Sequence, residues 1–215
     1  MHISDGVLST AVVAVTYASS AGVVAYALKG VKTEEIPKIA LMTGAFFVGS
    51  AIRVPLGPTS VHLMLTGFIG LVTGRRAPIS ILIALLLQFF LLHFGGISSM
   101  GANLFMTALP AVLVGKIFLP LIVKYKNKAL LISAAAGLLT VVSTVIILSI
   151  TLVQSNLRFG VGPFSTVRIL AVAHMPLMIV EAVITAFAIQ IILKIRPGFL
   201  YDNQIRNEVT EHENI

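Results

Sequence analysis

Seven apolar stretches decide most of what this chain can become: 7–28, 37–52, 60–74, 78–94, 102–123, 129–153 and 167–195, separated by short polar punctuation. No water inside a bilayer completes the hydrogen bonds of exposed N–H and C=O groups, so stretches of this kind become helices. A spanning helix takes about 20 residues. The second, third and fourth stretches fall short of that, which leaves short helices shielded by tilted neighbours or one re-entrant hairpin. Only 11% of the residues are charged, against about 25% in soluble domains. The expected fold class is therefore all-α, a polytopic membrane protein built as a seven-transmembrane-helix bundle. Residues 1–198 would form one transmembrane domain and 199–215 a polar cytoplasmic tail.

The charges give that bundle a direction. With the N-terminus outside, the inner loops hold Lys29, Lys32, Lys38, Arg75, Arg76, Lys124, Lys126, Lys128, Lys194, Arg196 and Arg206, and the outer loops only Arg53, Arg158 and Arg168. Such a bias marks the cytoplasmic side, and an even number of helices would spoil it. The chain is thus expected in the inner or plasma membrane, with the N-terminus outside and the C-terminus in the cytoplasm. The net charge of +7 is accounted for as orientation within a lipid bilayer. No aromatic-interleaved basic patch or other nucleic-acid motif accompanies it.

Small residues mark two faces where helices are expected to meet one another, Ala14, Ala18 and Gly22 in the first stretch and Thr66, Gly70 and Gly74 in the third. Spacing by four lets helix backbones approach closely.

The first residues are unlike the rest. Met1-His2-Ile3-Ser4-Asp5 offers an amine, a backbone amide, an imidazole and a carboxylate. No basic leader or small-residue cleavage site is readable, so Met1 is expected to be the mature terminus. The Met1 amine, the His2 amide nitrogen and the His2 ring can close fused chelate rings on one metal ion, leaving one in-plane position. Four nitrogens in a plane suit Ni(II) or Cu(II). His62, in Gly57-Pro58-Thr59-Ser60-Val61-His62, is the best candidate for the fourth. Thr59 or Ser60 is expected to cap a helix whose first turn holds His62, where the helix dipole keeps the ring neutral.

Further polar residues stand in apolar surroundings. His174 and Glu181 are seven apart on one helix face, about 10 Å from each other. Glu181 is the one acidic residue within an apolar stretch, and an intramembrane carboxylate faces a cavity or a partner. Asn103 can bond backbone or a metal's outer shell. Asp5 can offset the charge of a bound metal or orient the terminus. There is no cysteine, which excludes thiolate sites and disulfides. Nor is there a G-x-x-x-x-G-K-[ST] loop, so the chain does not hydrolyse ATP itself.

Four motifs in order resemble one family. Met1-His2-Ile3-x-Asp5-Gly6-x-Leu8-Ser9, Gly57-Pro58-Thr59-Ser60-Val61-His62-Leu63, Gly95-Gly96-Ile97 with Gly101-Ala102-Asn103, and Ala173-His174-Met175-Pro176 followed by Glu181 and Thr185 resemble segments of CbiM/NikM proteins. These are the substrate-capture subunits (S components) of energy-coupling-factor (ECF) nickel and cobalt transporters. The resemblance implies a seven-helix protein with its N-terminus inserted from outside, and metal held by Met1, His2 and His62. Asp5, Ser60, Asn103, His174 and Glu181 would stand around that site in support. It implies partners: a transmembrane coupling subunit, two cytoplasmic ATPase subunits and a small accessory membrane subunit. The cargo would be Ni(II), with Co(II) as the alternative, and no catalytic cofactor is expected. Val61 and Pro58 stand where many cobalt-type members have glycine, which points to nickel. Two other readings compete: a metal carrier or channel working alone along His174 and Glu181, and an intramembrane metal hydrolase using His62, His93 and Glu181.

Overall fold

The computed structural model describes residues 3–56 and 59–200, and for 53–56 and 59–61 the backbone alone. Met1, His2 and the expected tail from 201 onward lie outside the described residues. Within them the chain forms seven α-helices: α1 (Thr10–Leu28), α2 (Ile36–Ala51), α3 (Thr66–Thr73), α4 (Ala77–Leu92), α5 (Met100–Lys124), α6 (Ala129–Ser155) and α7 (Thr166–Ile195). Pro37 and Pro78 stand in the first turns of α2 and α4, where a missing N–H costs nothing. Ser165 caps α7 by accepting from the Arg168 amide at 3.4 Å.

One expected helix starts late. The stretch read as a helix over 60–74 begins as a strand: β1 (Arg53–Leu56) pairs antiparallel with β2 (Thr59–His62), with Arg53 opposite His62 and Leu56 opposite Thr59. The fold is helical with one short hairpin, not purely helical. Pro55 and Pro58 carry no N–H and push the residues before them out of helical backbone. The β-branched Val54, Thr59 and Val61 favour a pleated backbone. α3 starts only at Thr66, so Thr59 and Ser60 cap no helix, and His62 lies on a strand rather than in a first helical turn.

Among the described residues five helical runs are long and apolar enough to cross a membrane, one of them Thr66–Leu92, which joins α3, the turn Gly74–Arg76 and α4. That run doubles back on itself. Ser80 and Gln88 of α4 bond Ile39 and Ser50 of α2, so α2 and α4 run in the same direction. Leu65, just before α3, lies against Gly49 near the end of α2, and Arg76, just after α3, binds Glu35 at the start of α2. α3 therefore runs against both, and the reversal falls at Gly74, whose φ of +54° suits glycine. At 8 residues α3 is only about 12 Å long.

Of the two small-residue faces, one packs as expected. A side chain on Gly70 would lie 2.1 Å from the Ala111 carbonyl, and one on Gly115 would lie 2.2 Å from the Gly70 carbonyl. α3 and α5 are in backbone contact there. The α1 face is different: Ala14, Ala18 and Gly22 are exposed, and nothing lies within 4 Å of where a Gly22 side chain would be. α1 uses its other side, where Thr16, Ser20 and Ala27 are buried and Ser20 donates to the Gly101 carbonyl.

At one end of the bundle a single arginine joins three elements. The buried Arg76 guanidinium donates to the Ala27 and Lys29 carbonyls at 2.5 and 2.9 Å and to the Gly30 carbonyl at 2.5 Å. It also holds both oxygens of Glu35 at 2.8 Å. This pairing keeps the Glu35 carboxyl below its ordinary range. Arg76 had read as an orientation signal only; its planar fork of donors closes the loop between α1 and α2 onto the α3–α4 turn.

Candidate metal-capture site

The residues after His2 form a strap, Ile3–Ser9, fastened at three points. Ile3 is buried and paired on both of its backbone groups by one side chain. Its N–H donates to Asn103 Oδ1 at 2.8 Å, and its carbonyl accepts from Asn103 Nδ2 at 3.0 Å and from Ser99 Oγ at 2.5 Å. The Asn103 amide thus imitates a neighbouring strand and fixes the backbone of Ile3. Asp5 accepts from the Ser98 amide and hydroxyl at 2.7 and 2.6 Å and from the Ile97 amide at 3.2 Å. The Ser98 hydroxyl is the main reason its carboxyl lies below the usual range. Gly96 is required for this: a side chain there would fall 2.2 Å from Asp5 Oδ1. Ser9 donates its amide to Ser155 Oγ at the end of α6, and Ser155 Oγ donates to the Val7 carbonyl. Asp5 thereby fastens the strap to the Ile97–Ser98 backbone.

His62 is buried at the end of β2. Its Nδ1 lies 3.1 Å from the Leu63 carbonyl. A carbonyl only accepts, so Nδ1 carries the proton and Nε2 the lone pair a metal would take. Burial holds the ring below its ordinary pKa, and the nearby His174 adds to that, so the ring is neutral near pH 7. His174, in α7, is fully buried; its Nδ1 donates to the Leu170 carbonyl at 2.6 Å. Glu181 is also fully buried and accepts from the Met64 amide at 2.5 Å and the Leu65 amide at 2.8 Å. The Ser60 side chain, like Met1 and His2, lies outside the described residues.

The strap and the His62 segment meet the same two helices. Ile3 packs in one cluster with Leu148 and Leu152 of α6 and Leu170 of α7. Met64 packs in another with Val141 and Val145 of α6 and Leu177 of α7. Leu170 and Leu177 are about 10 Å apart along the helix, and His174 lies between them. Ile3, next to His2, and Met64, two residues after His62, therefore pack two turns apart on one α6–α7 seam. The set His62, His93 and Glu181 is not brought together. His93 is exposed and ends α4 in left-handed backbone, and no three His, Asp or Glu among the described residues gather at metal-binding spacing.

Comparison with known proteins follows the same lines. Residues 2–199 match the model of the CbiM family, described as the cobalt uptake substrate-specific transmembrane region. The chain belongs to the CbiM family. A putative metal transport protein of Haemophilus influenzae is 34% identical to this CbiM-family chain over 200 residues, 92% of this chain and 95% of the relative. A putative fused nickel transport protein, NikMN, of Archaeoglobus fulgidus is 26% identical over 93% of this chain and 68% of its own length. The crystal structure of a transition metal transporter superposes with a TM-score of 0.75 at 26% identity, covering 91% of this chain and 93% of the other. A CbiM-family chain with these helices is a multi-pass membrane component of metal transport.

Proposed function

We propose that this protein is the metal-capturing membrane subunit of an ATP-driven ECF-type importer, and that it holds Ni(II) in a plane of four nitrogens. The Met1 amine, the His2 amide nitrogen and ring, and His62 Nε2 are the ligands. The observation that carries this reading is the shared α6–α7 seam: Ile3, next to His2, and Met64, two residues after His62, pack on it two turns apart. The Asn103 clamp on Ile3 further holds the residue next to His2 in place. Family membership agrees with metal as cargo, and the name of the Archaeoglobus relative agrees with nickel. Co(II) is the alternative, because the family description names cobalt. In this reading the bundle crosses the membrane seven times with the N-terminus outside, and α2, α3 and α4 are the short crossings. A coupling subunit, two ATPase subunits and a small accessory membrane subunit complete the importer.

Purified protein with a native N-terminus is expected to bind one Ni(II) per chain. The bound ion should be diamagnetic and carry the absorption band of planar four-nitrogen coordination. Reconstituted alone in liposomes the chain should bind without transport. Transport by the isolated chain would favour the lone carrier, and a paramagnetic six-coordinate ion would rule out the planar site.

Asn103→Leu should weaken Ni(II) binding by roughly 10–100-fold, the range seen when groups that orient a ligand are removed. Titration of detergent-purified variants checks it. Ser99 and Asp5 still hold the strap in this variant, so its melting temperature should change little.

A further inference from the structure

Glu181 stands two full turns from His174 on α7, yet its carboxylate accepts from the backbone of the segment between β2 and α3. It accepts from Met64 N and, through both oxygens, from Leu65 N. Glycines bring α3 and α7 into reach. Gly67 of α3 lies against Gly137 of α6, where a side chain would be 2.8 Å from the Gly137 Cα. Gly137 in turn lies against α7, where a side chain would be 2.8 Å from the Glu181 carbonyl. The recipient is an unusual stretch: Leu65, the residue before α3, has a φ of +53°, which a branched side chain adopts only when its surroundings impose it.

The Met64 N–H and the Leu63 carbonyl belong to one planar peptide. The N–H edge of that plane donates to Glu181, and the C=O edge accepts from His62 Nδ1 at 3.1 Å. Turning the plane would break one bond or the other.

We propose that Glu181 is a positioning residue for metal capture: through the Leu63–Met64 peptide it fixes the angle of the His62 ring and so the direction of Nε2. Metal-bound histidines are commonly oriented by a carboxylate on their other nitrogen. Here one peptide group stands between the two, and the chain of hydrogen bonds polarises along it. This inference rests on His62 being a ligand, and it assigns to α7 a hold on that ligand without touching the metal.

The test uses the full-length protein with its native N-terminus, NiCl2 as the probe, and three variants beside His62→Ala. Glu181→Gln keeps an oxygen in place to accept from both amides. Glu181→Asp keeps the charge but draws it back by one methylene. Glu181→Leu removes both. The inference expects Gln within about threefold of the unmodified protein, and Asp and Leu weakened roughly 10–100-fold. At saturating Ni(II) the absorption band of Asp and Leu should shift towards that of His62→Ala. If Leu fails to fold, the contrast between Gln and Asp decides the matter alone. Strong loss in Gln with none in Asp would overturn the inference, because charge and not position would then matter. Loss of affinity with an unshifted band, matched by a fall in the melting temperature of the metal-free protein, would overturn it as well. Should His62→Ala bind Ni(II) unchanged, His62 is not the fourth donor, and this inference falls with that assignment. Should His62→Ala lose binding while all three Glu181 variants keep it, only the role of Glu181 falls.

Discussion

Adding four residues ahead of Met1 should abolish high-affinity metal binding. The extension turns the Met1 amine into an amide and carries the new amine away from His2, so two of four donors lose their chelate geometry. The length matters. One added residue would place histidine third, and an amine, two amides and an imidazole can form a planar site without His62. Four added residues exclude that substitute. Removing groups that merely orient a ligand costs up to roughly 100-fold, and loss of two groups that touch the metal should exceed this. Isothermal titration of the extended and native proteins under one buffer measures it. The native protein has a second signature. An α-amine has a pKa of about 7.7–8.0 and must be neutral to bind, and the metal displaces the amide proton. Near pH 7 binding should therefore release about two protons per metal, rising towards about three below about pH 6.5 as the His2 ring too becomes protonated in the free protein, and affinity should fall as the pH falls. His62 adds little to this slope, because burial already holds its pKa down. Unchanged affinity after extension, or a pH-independent Kd, would remove the terminus from the site.

His62→Ala should weaken Ni(II) binding by at least about 100-fold, which corresponds to roughly 2.7 kcal/mol. Three donors from the terminus remain, and water takes the fourth position, so residual binding with a shifted absorption band is expected rather than none. The cost to folding should be small. His62 ends a short hairpin, and the Leu63–Leu65 backbone after it keeps its own partner in Glu181. Retained affinity would send the search for the fourth donor to His174, the other buried ring on the same seam.

How far the sequence revealed this arrangement depends on where the information lay. Helix positions followed from runs of apolar residues, and α5, α6 and α7 begin and end within about two residues of the apolar stretches. The third stretch misled because hydropathy does not distinguish strand from helix over a short run. Pro55, Pro58 and the β-branched Val54, Thr59 and Val61 were the signal, and they outweighed apolarity. His62 was singled out for the wrong local reason and survives as a candidate because its ring is buried and held by its own chain. Asn103, Asp5 and Glu181 stood out as polar residues near or within apolar stretches, but their partners are backbone groups from 92 to 117 positions away. Composition has no record of such pairings. Arg76 was hidden differently: a basic pair at a turn reads as a topology signal, and nothing local shows that one of the two is buried. The exposed Ala14, Ala18 and Gly22 carry the opposite lesson, since spacing that permits close packing does not require it.

The arginine at the α3–α4 turn has a consequence for how force would travel. α1 is a rod of 19 residues, about 28 Å long. One end continues the strap behind Ile3, and the other is grasped at Ala27 and Lys29 by Arg76. α3 is a second, shorter rod that begins just after the segment carrying His62 and ends at the turn that contains Arg76. Both rods share one footing. A partner that pushed or twisted this footing would move the two ligand-bearing segments by lever arms of unequal length, about 28 and 12 Å, and so would change their separation. In the proposed reading, a metal gripped from two sides would then be released from the far end of the bundle by displacing a single guanidinium.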